Sequence, residues 1–263
     1  MISHKKMKEN FITGFDRRKA VKKIITTSFL NKEGHIASAL SVLDFIYELH
    51  LNIMETNDQF VLSKGHASLA LYSLFLEKKH IQESDFYSFA QENSILGGHP
   101  SSKKLNQILI STGSLGHGLP FCCGTAMAKK INKEDGNIYC LIGDGESNEG
   151  TTWESALLAS TYGLDNLICI MDFNKSGERA IKLNSCKSKF KSFGWNSFIV
   201  KDGNNSSKIN DALKNIKKNG KPTFIQLNTI KGCGIPCMEN NPEWHHKHPT
   251  TEEECEKLIE SIK

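Results

Sequence analysis

From about Phe60 onward, short apolar runs alternate with longer stretches whose apolar positions recur every three or four residues. The runs at 60–63 (FVLS), 108–112 (ILIST), 138–143 (IYCLIG), 167–173 (LICIMDF), 197–200 (SFIV) and 223–230 (TFIQLNTI) are short and mostly continuous. That pattern predicts strands buried on both faces. Between them lie helical segments, as where Trp153, Ala156 and Leu157 fall at i, i+3 and i+4 ahead of a C-capping Gly163. Strand and helix in alternation predict an α/β fold, a mostly parallel sheet flanked by helices. The first 50 residues predict two helices, 17–29 and 41–51, with a turn through NKEGHIAS (31–38) between them. The turn-rich KDGNNSSK (201–208) is too short to divide domains, and an acidic helix is expected to end the chain. We therefore expect one domain over 1–263.

Composition narrows the class. At 263 residues, with 38% hydrophobic and 24% charged residues, the chain has the profile of a soluble globular protein. A formal charge of only +4, with scattered lysines, gives no ground for a nucleic-acid partner. The N-terminal segment lacks a signal-peptide core, and no later segment approaches the roughly 20 apolar residues that span a bilayer, so no membrane partner and a cytoplasmic location are expected. The 8 cysteines then read as reduced thiols. Cys122, Cys123, Cys140 and Cys169 lie in apolar runs as small buried hydrophobes, and Cys233 with Cys237 is a weak zinc pattern for want of a second pair.

The candidate chemistry starts where IYCLIG runs into Gly143-Asp144-Gly145. Ligands bind at the carboxyl ends of strands in open parallel sheets, and glycine lets backbone N–H groups approach a bulky anion. A carboxylate beside a phosphate site would repel it unless a cation lies between, so Asp144 implies a divalent metal. A second oxygen ligand is then needed. Asn174, 30 residues later and just past the next strand, is that candidate. The spacing is what a crossover unit requires, and neighbouring strands would bring the two side by side. An all-oxygen shell of this kind suits Mg²⁺ or Ca²⁺.

Gly-Asp-Gly followed by Asn at this distance resembles the thiamine diphosphate signature, and further stretches narrow the family. GHIAS (34–38), LSKGHA (62–67), GGHP (97–100), STGSLGHG (111–118), GDGESNEG (143–150), DFN (172–174), TIKG (229–232) and EWH (243–245) occur in the order and spacing of transketolases. The sequence resembles the N-terminal, diphosphate-binding part of that family over most of its length. The resemblance implies thiamine diphosphate as cofactor, with Mg²⁺ (Ca²⁺ or Mn²⁺ able to substitute) held by Asp144, Asn174 and the carbonyl of Ser176. It implies that Gly145 contacts the diphosphate and that Gly113, Ser114 and Leu115 lie against the cofactor. His35, His66, His99 and His245 match family histidines that line the substrate channel or approach the diphosphate, and Ser38 and Lys231 match further active-site positions. The implied reaction transfers a two-carbon ketol unit from a ketose phosphate to an aldose phosphate, in which imidazoles move protons on substrate oxygens. The other histidines, His4, His50, His80, His246 and His248, read as solvated or core side chains. Ile36 replaces the family's proline after the first histidine, and His117 replaces a family glutamine.

The family's pyrimidine-activating glutamate and its sugar-phosphate arginines belong to a second domain that this sequence does not include. The resemblance thus implies a separate N-terminal subunit working in an α₂β₂ assembly with a C-terminal, pyrimidine-binding transketolase chain. Glu149 matches the family glutamate that faces that partner and joins its glutamate network; as the acid at a helix start it also suits the helix dipole. Two rival readings remain: a subunit of another split thiamine diphosphate enzyme, such as a 2-oxoacid dehydrogenase or decarboxylase, and a non-catalytic assembly protein with the same fold.

Overall fold

A computed structural model describes residues 14–263; His4 lies outside the described residues. In chain order the regular elements are α1 (Arg17–Asn31), α2 (Ile36–Glu48), β1 (Gln59–Leu62), α3 (Ser68–Glu77), α4 (Glu83–Tyr87) and α5 (Gly118–Asn132). They continue with β2 (Ile138–Gly143), α6 (Gly150–Thr161), β3 (Leu167–Phe173), α7 (Cys186–Ser192), β4 (Asn196–Val200), α8 (Ser206–Lys214), β5 (Thr223–Asn228) and α9 (Glu252–Glu260). The five strands form one sheet in the order β1-β2-β3-β5-β4, every pair parallel.

Helices cover both faces of the sheet, which explains the continuous apolar runs. Along β2, Tyr139 and Leu141 enter one core with α1, α2 and α3, while Ile138, Cys140 and Ile142 enter the other with α5, α6 and α7. Each fully buried Ile or Leu in these layers contributes about 1.5–3 kcal/mol. The edge strand β4 is only half-buried over most of its length. Cys122, Cys123, Cys140 and Cys169 are buried in the second core. Cys233 and Cys237 gather no third metal-ligating side chain among the described residues.

Three expectations are corrected. The run at 108–112 is no strand: the N–H of Ile108 turns back to Leu105 and that of Thr112 bonds to Pro100. Its apolar character comes from packing, with Ile108 buried and Ile110 against the second core, and an apolar run alone does not specify backbone conformation. The second helix begins at Ile36 rather than 41, so HIAS is helix start and not turn; a further helical turn, Leu49–Ile53, extends it. That stretch, Ile36–Ile53, also overturns the expectation that no segment approaches membrane-spanning length, being long and apolar enough by length and composition, yet 78% of it is buried inside the fold, as suits a core helix.

Candidate active site

The parallel pairing of β2 with β3 sets Gly143 opposite Asp172, and the N–H of Asp144 continues the ladder to the carbonyl of Asp172 at 3.1 Å. Asp144 and Asn174 therefore leave neighbouring strands at the same carboxyl edge. Each is followed by a short 3-10 turn, Gly145–Asn148 and Gly177–Arg179. The two turns touch: a Cβ on Gly177 would lie 2.5 Å from the Cα and N of Gly145. Only glycine permits that approach, which holds the two loops together.

Asp144 Oδ1 accepts the N–H of Gly145 at 2.8 Å, whereas its buried Oδ2 has no partner. Burial first, and then the nearby Asp172 charge, raises its pKa above the usual carboxylate range. An unpartnered, desolvated carboxylate oxygen is costly, and a cation would relieve it. Asn174 is held by donation from Nδ2 to Asp172 Oδ2 (2.8 Å), while its Oδ1 accepts the N–H of Ser176 (3.0 Å). A carboxylate and an amide oxygen leaving neighbouring strands at one edge fit a hard divalent cation.

Below these ligands lies a polar network that the sequence did not single out. The buried Lys64 ammonium pairs with Asp172. Asp172 Oδ1 also accepts from Ser41 Oγ at 2.7 Å and from the hydroxyl of Thr229. Three side chains from distant parts of the sequence thereby fix Asp172, and Asp172 fixes Asn174. A charge inside LICIMDF was the available sign, since a buried aspartate needs partners. Glu146 is a second omission. Buried in the first of the two turns, it accepts the N–H groups of Gly116 (2.9 Å) and Gly143 (3.1 Å) and the hydroxyl of Ser63. Desolvation raises its pKa.

Four imidazoles border the same edge. The His35 ring lies 5.3 Å from that of His66 and 5.7 Å from that of His245, and His66 lies 6.4 Å from His245. His99 packs by Gly65 and Gly113, its ring 3.2 and 3.3 Å from where their Cβ atoms would sit. Burial, followed by the charges of His246 and His245, lowers His35 to about 4. Burial also lowers His66, reinforced by Lys64, as well as His99 and His245. All four are therefore neutral near pH 7, able to donate from one ring nitrogen and accept at the other.

Lys231, buried just beyond β5, donates to Ser176 Oγ at 3.0 Å and lies 2.6 Å from His245 Nδ1. Burial and then Lys64 lower its pKa to about 8. A cleft of about 740 Å³ opens beside it, lined by Asn174, Ser176, Arg179, Lys201, Lys231 and His245 among others. Ser38 is buried in the first turn of α2, its carbonyl within 3.5 Å of Lys64 Nζ. In the loop before α5, Gly113 has φ +144°, Ser114 is exposed and Leu115 half-buried. Glu149 is exposed at the start of α6 and makes no side-chain cap bond. His117 is exposed at the start of α5.

His246 departs from its expected place among the solvated or core histidines. Though exposed, its ring stacks on His35 at 4.3 Å and its Nε2 lies 2.8 Å from Glu33 Oε1. Burial raises the Glu33 pKa, but the His246 bond and charge outweigh it and hold the carboxylate low.

Comparison with known proteins accords with this geometry. Residues 31–262 match the model of the transketolase thiamine diphosphate binding domain. One subunit of the apulose-4-phosphate transketolase of Actinobacillus succinogenes is 35% identical over 94% of this chain and 95% of its own length. The transketolase-like protein 2 of Bos taurus is 37% identical over 88% of this chain, which spans only 39% of that protein's length. Among solved structures, the transketolase of Campylobacter jejuni superposes with a TM-score of 0.80 at 30% identity, covering 92% of this chain and 42% of the other. The chain thus belongs to the transketolase family and corresponds to its thiamine diphosphate-binding domain.

Proposed function

We propose that this chain is the diphosphate-binding subunit of a two-chain transketolase, which transfers a two-carbon ketol unit from a ketose phosphate to an aldose phosphate. The observation that carries the reading is the unpartnered, buried Oδ2 of Asp144 beside an Asn174 held in place by Asp172. Asp144, Asn174 and the Ser176 carbonyl would hold Mg²⁺, with Gly145 giving the diphosphate backbone access and Lys231 and His245 meeting its negative charge. Ser38 and the loop Gly113, Ser114 and Leu115 would line the remainder of the cofactor's bed. When bound, thiamine diphosphate supplies the carbanion-stabilising ring that ketol transfer needs. Neutral His35, His66 and His99 accept and return protons at substrate hydroxyl and carbonyl oxygens through their ring nitrogens.

The Actinobacillus succinogenes relative, which this chain covers almost end to end, is by name one subunit of its transketolase, and that supports a partner chain here. We place the pyrimidine-binding half and its activating glutamate on that partner, in an α₂β₂ assembly with Glu149 at the contact. We place the enzyme in the cytoplasm, where thiols stay reduced.

The test pairs this chain with the product of a neighbouring reading frame of transketolase C-terminal type and assays ketose and aldose phosphates, apulose 4-phosphate among them. The mixture should transfer ketol units and the lone chain should not; full activity of the lone chain overturns the two-chain assembly. Calorimetry on the mixture should show thiamine diphosphate binding that needs Mg²⁺ and is lost in Asp144→Ala. Metal-independent binding defeats the assignment of Asp144.

A further inference from the structure

Glu33, His35 and His246 place one ligand atom each within 4.8 Å of one another, although 213 residues separate Glu33 from His246. We propose that these three side chains form a second cation site at the mouth of the active-site edge, selective for zinc-class divalent metals. It is separate in position and chemistry from the oxygen ligands Asp144, Asn174 and Ser176.

The donor set decides the class. Two imidazoles and one carboxylate are the ligands of open, exchangeable zinc sites, which keep a further position for water or substrate. Mg²⁺ and Ca²⁺ prefer oxygen, so nitrogen ligands select against the cation expected at Asp144. Two of the three ligands sit on backbone that is already fixed. His35 precedes α2, and its carbonyl accepts the N–H groups of Ser38 and Ala39, both at 3.0 Å. Glu33 is clamped through its N–H to the Ser28 carbonyl (3.3 Å) and its carbonyl to Ser28 Oγ (2.7 Å). His246 follows the short turn Pro242–Trp244, whose Trp244 is buried, and it is the most exposed of the three side chains. Glu33 Oε1 lies against His246 Nε2 and accepts the Gly34 N–H (3.0 Å). A cation bound at the ring edges, in line with the nitrogen lone pairs and beside the Glu33 carboxylate, requires the His246 ring to turn out of its stack on His35 and replaces the His246–Glu33 contact by ligation. A metal held there removes the His35 nitrogen from proton exchange with substrate; that consequence rests on the ketol-transfer reading, whereas the binding does not.

The experiment titrates the full chain with Co²⁺ under excess Mg²⁺ and follows the visible d–d absorption, then competes with Zn²⁺. We expect saturation at a single Co²⁺ per chain, displacement by Zn²⁺, and affinity lowered at least about tenfold in both Glu33→Gln and His246→Ala. Cys237→Ser should bind as the parent does. Both altered residues are at the surface, and circular dichroism checks that each variant is folded. No saturable absorption, unchanged affinity in either variant, or a loss caused by Cys237→Ser overturns the site. Because the readout is binding to this chain alone, failure here leaves ketol transfer untouched, and failure of ketol transfer leaves this result intact.

Discussion

Lys231 Nζ lies 2.6 Å from His245 Nδ1, so a buried ammonium is held against a neutral imidazole rather than a carboxylate. The pair therefore presents positive charge with no internal counterion in direct contact on that side. With its pKa lowered to about 8 by burial and then by Lys64, the ammonium is charged below that pH and neutral above it. Affinity of the assembled enzyme for thiamine diphosphate should fall from pH 7 to pH 9, and Lys231→Met should weaken binding about tenfold at pH 7 and flatten the dependence. Lys231→Arg, which keeps its charge, should retain affinity at pH 9. Calorimetry at fixed Mg²⁺ measures all three.

Lys64 and Asp172 give a stability prediction. Lys64→Met leaves a buried carboxylate without its cation and should cost about 3–5 kcal/mol. The double change Lys64→Met with Asp172→Asn should recover part of that loss, since it removes the stranded charge. Urea denaturation of the two variants separates a desolvation cost from a simple loss of packing.

Gly145 and Gly177 face one another but should respond differently to alanine. At Gly177 the new Cβ meets backbone at 2.5 Å and should destabilise by about 1–3 kcal/mol. At Gly145 the nearest atom is 3.6 Å away, an ordinary contact, so stability should change by no more than about 1 kcal/mol. On the proposed reading, in which Gly145 gives the diphosphate backbone access, metal-dependent cofactor binding should nevertheless weaken in Gly145→Ala.

His50 sets a different pH dependence. Its Nδ1 lies 2.8 Å from the Ile46 carbonyl and its ring packs edge-on to Phe60 at 4.9 Å. Burial lowers its pKa to about 4 from 6.5, so between those values the unfolded chain binds a proton that the folded chain refuses. Folding stability should fall as pH drops from about 6.5 toward 4. His50→Gln should make that fall shallower, as read from denaturation midpoints at pH 7 and pH 5.

The metal candidates are legible in the sequence because a local rule and a topological rule coincide. Asp144 and Asn174 each mark a strand exit, and parallel pairing of β2 with β3 turns their sequence spacing into proximity. The run at 108–112 misleads because buried loop and buried strand share the same composition. The Glu33 and His246 contact is out of reach for another reason. It joins two segments near opposite ends of the chain through tertiary packing, and neither residue carries a local signal. Lys64 and Asp172 lie within the family motifs, yet their roles depend on a pairing that only the folded chain displays.

Glu146 binds the backbone of Gly143 and of Gly116 with one carboxyl group. The end of β2 and the loop before α5 thus share a single anchor and cannot loosen independently. Their amide protons should exchange with solvent at a common rate, and Glu146→Ala should accelerate both together. The strand end that carries Asp144 and the loop that precedes α5 consequently behave as one mechanical part.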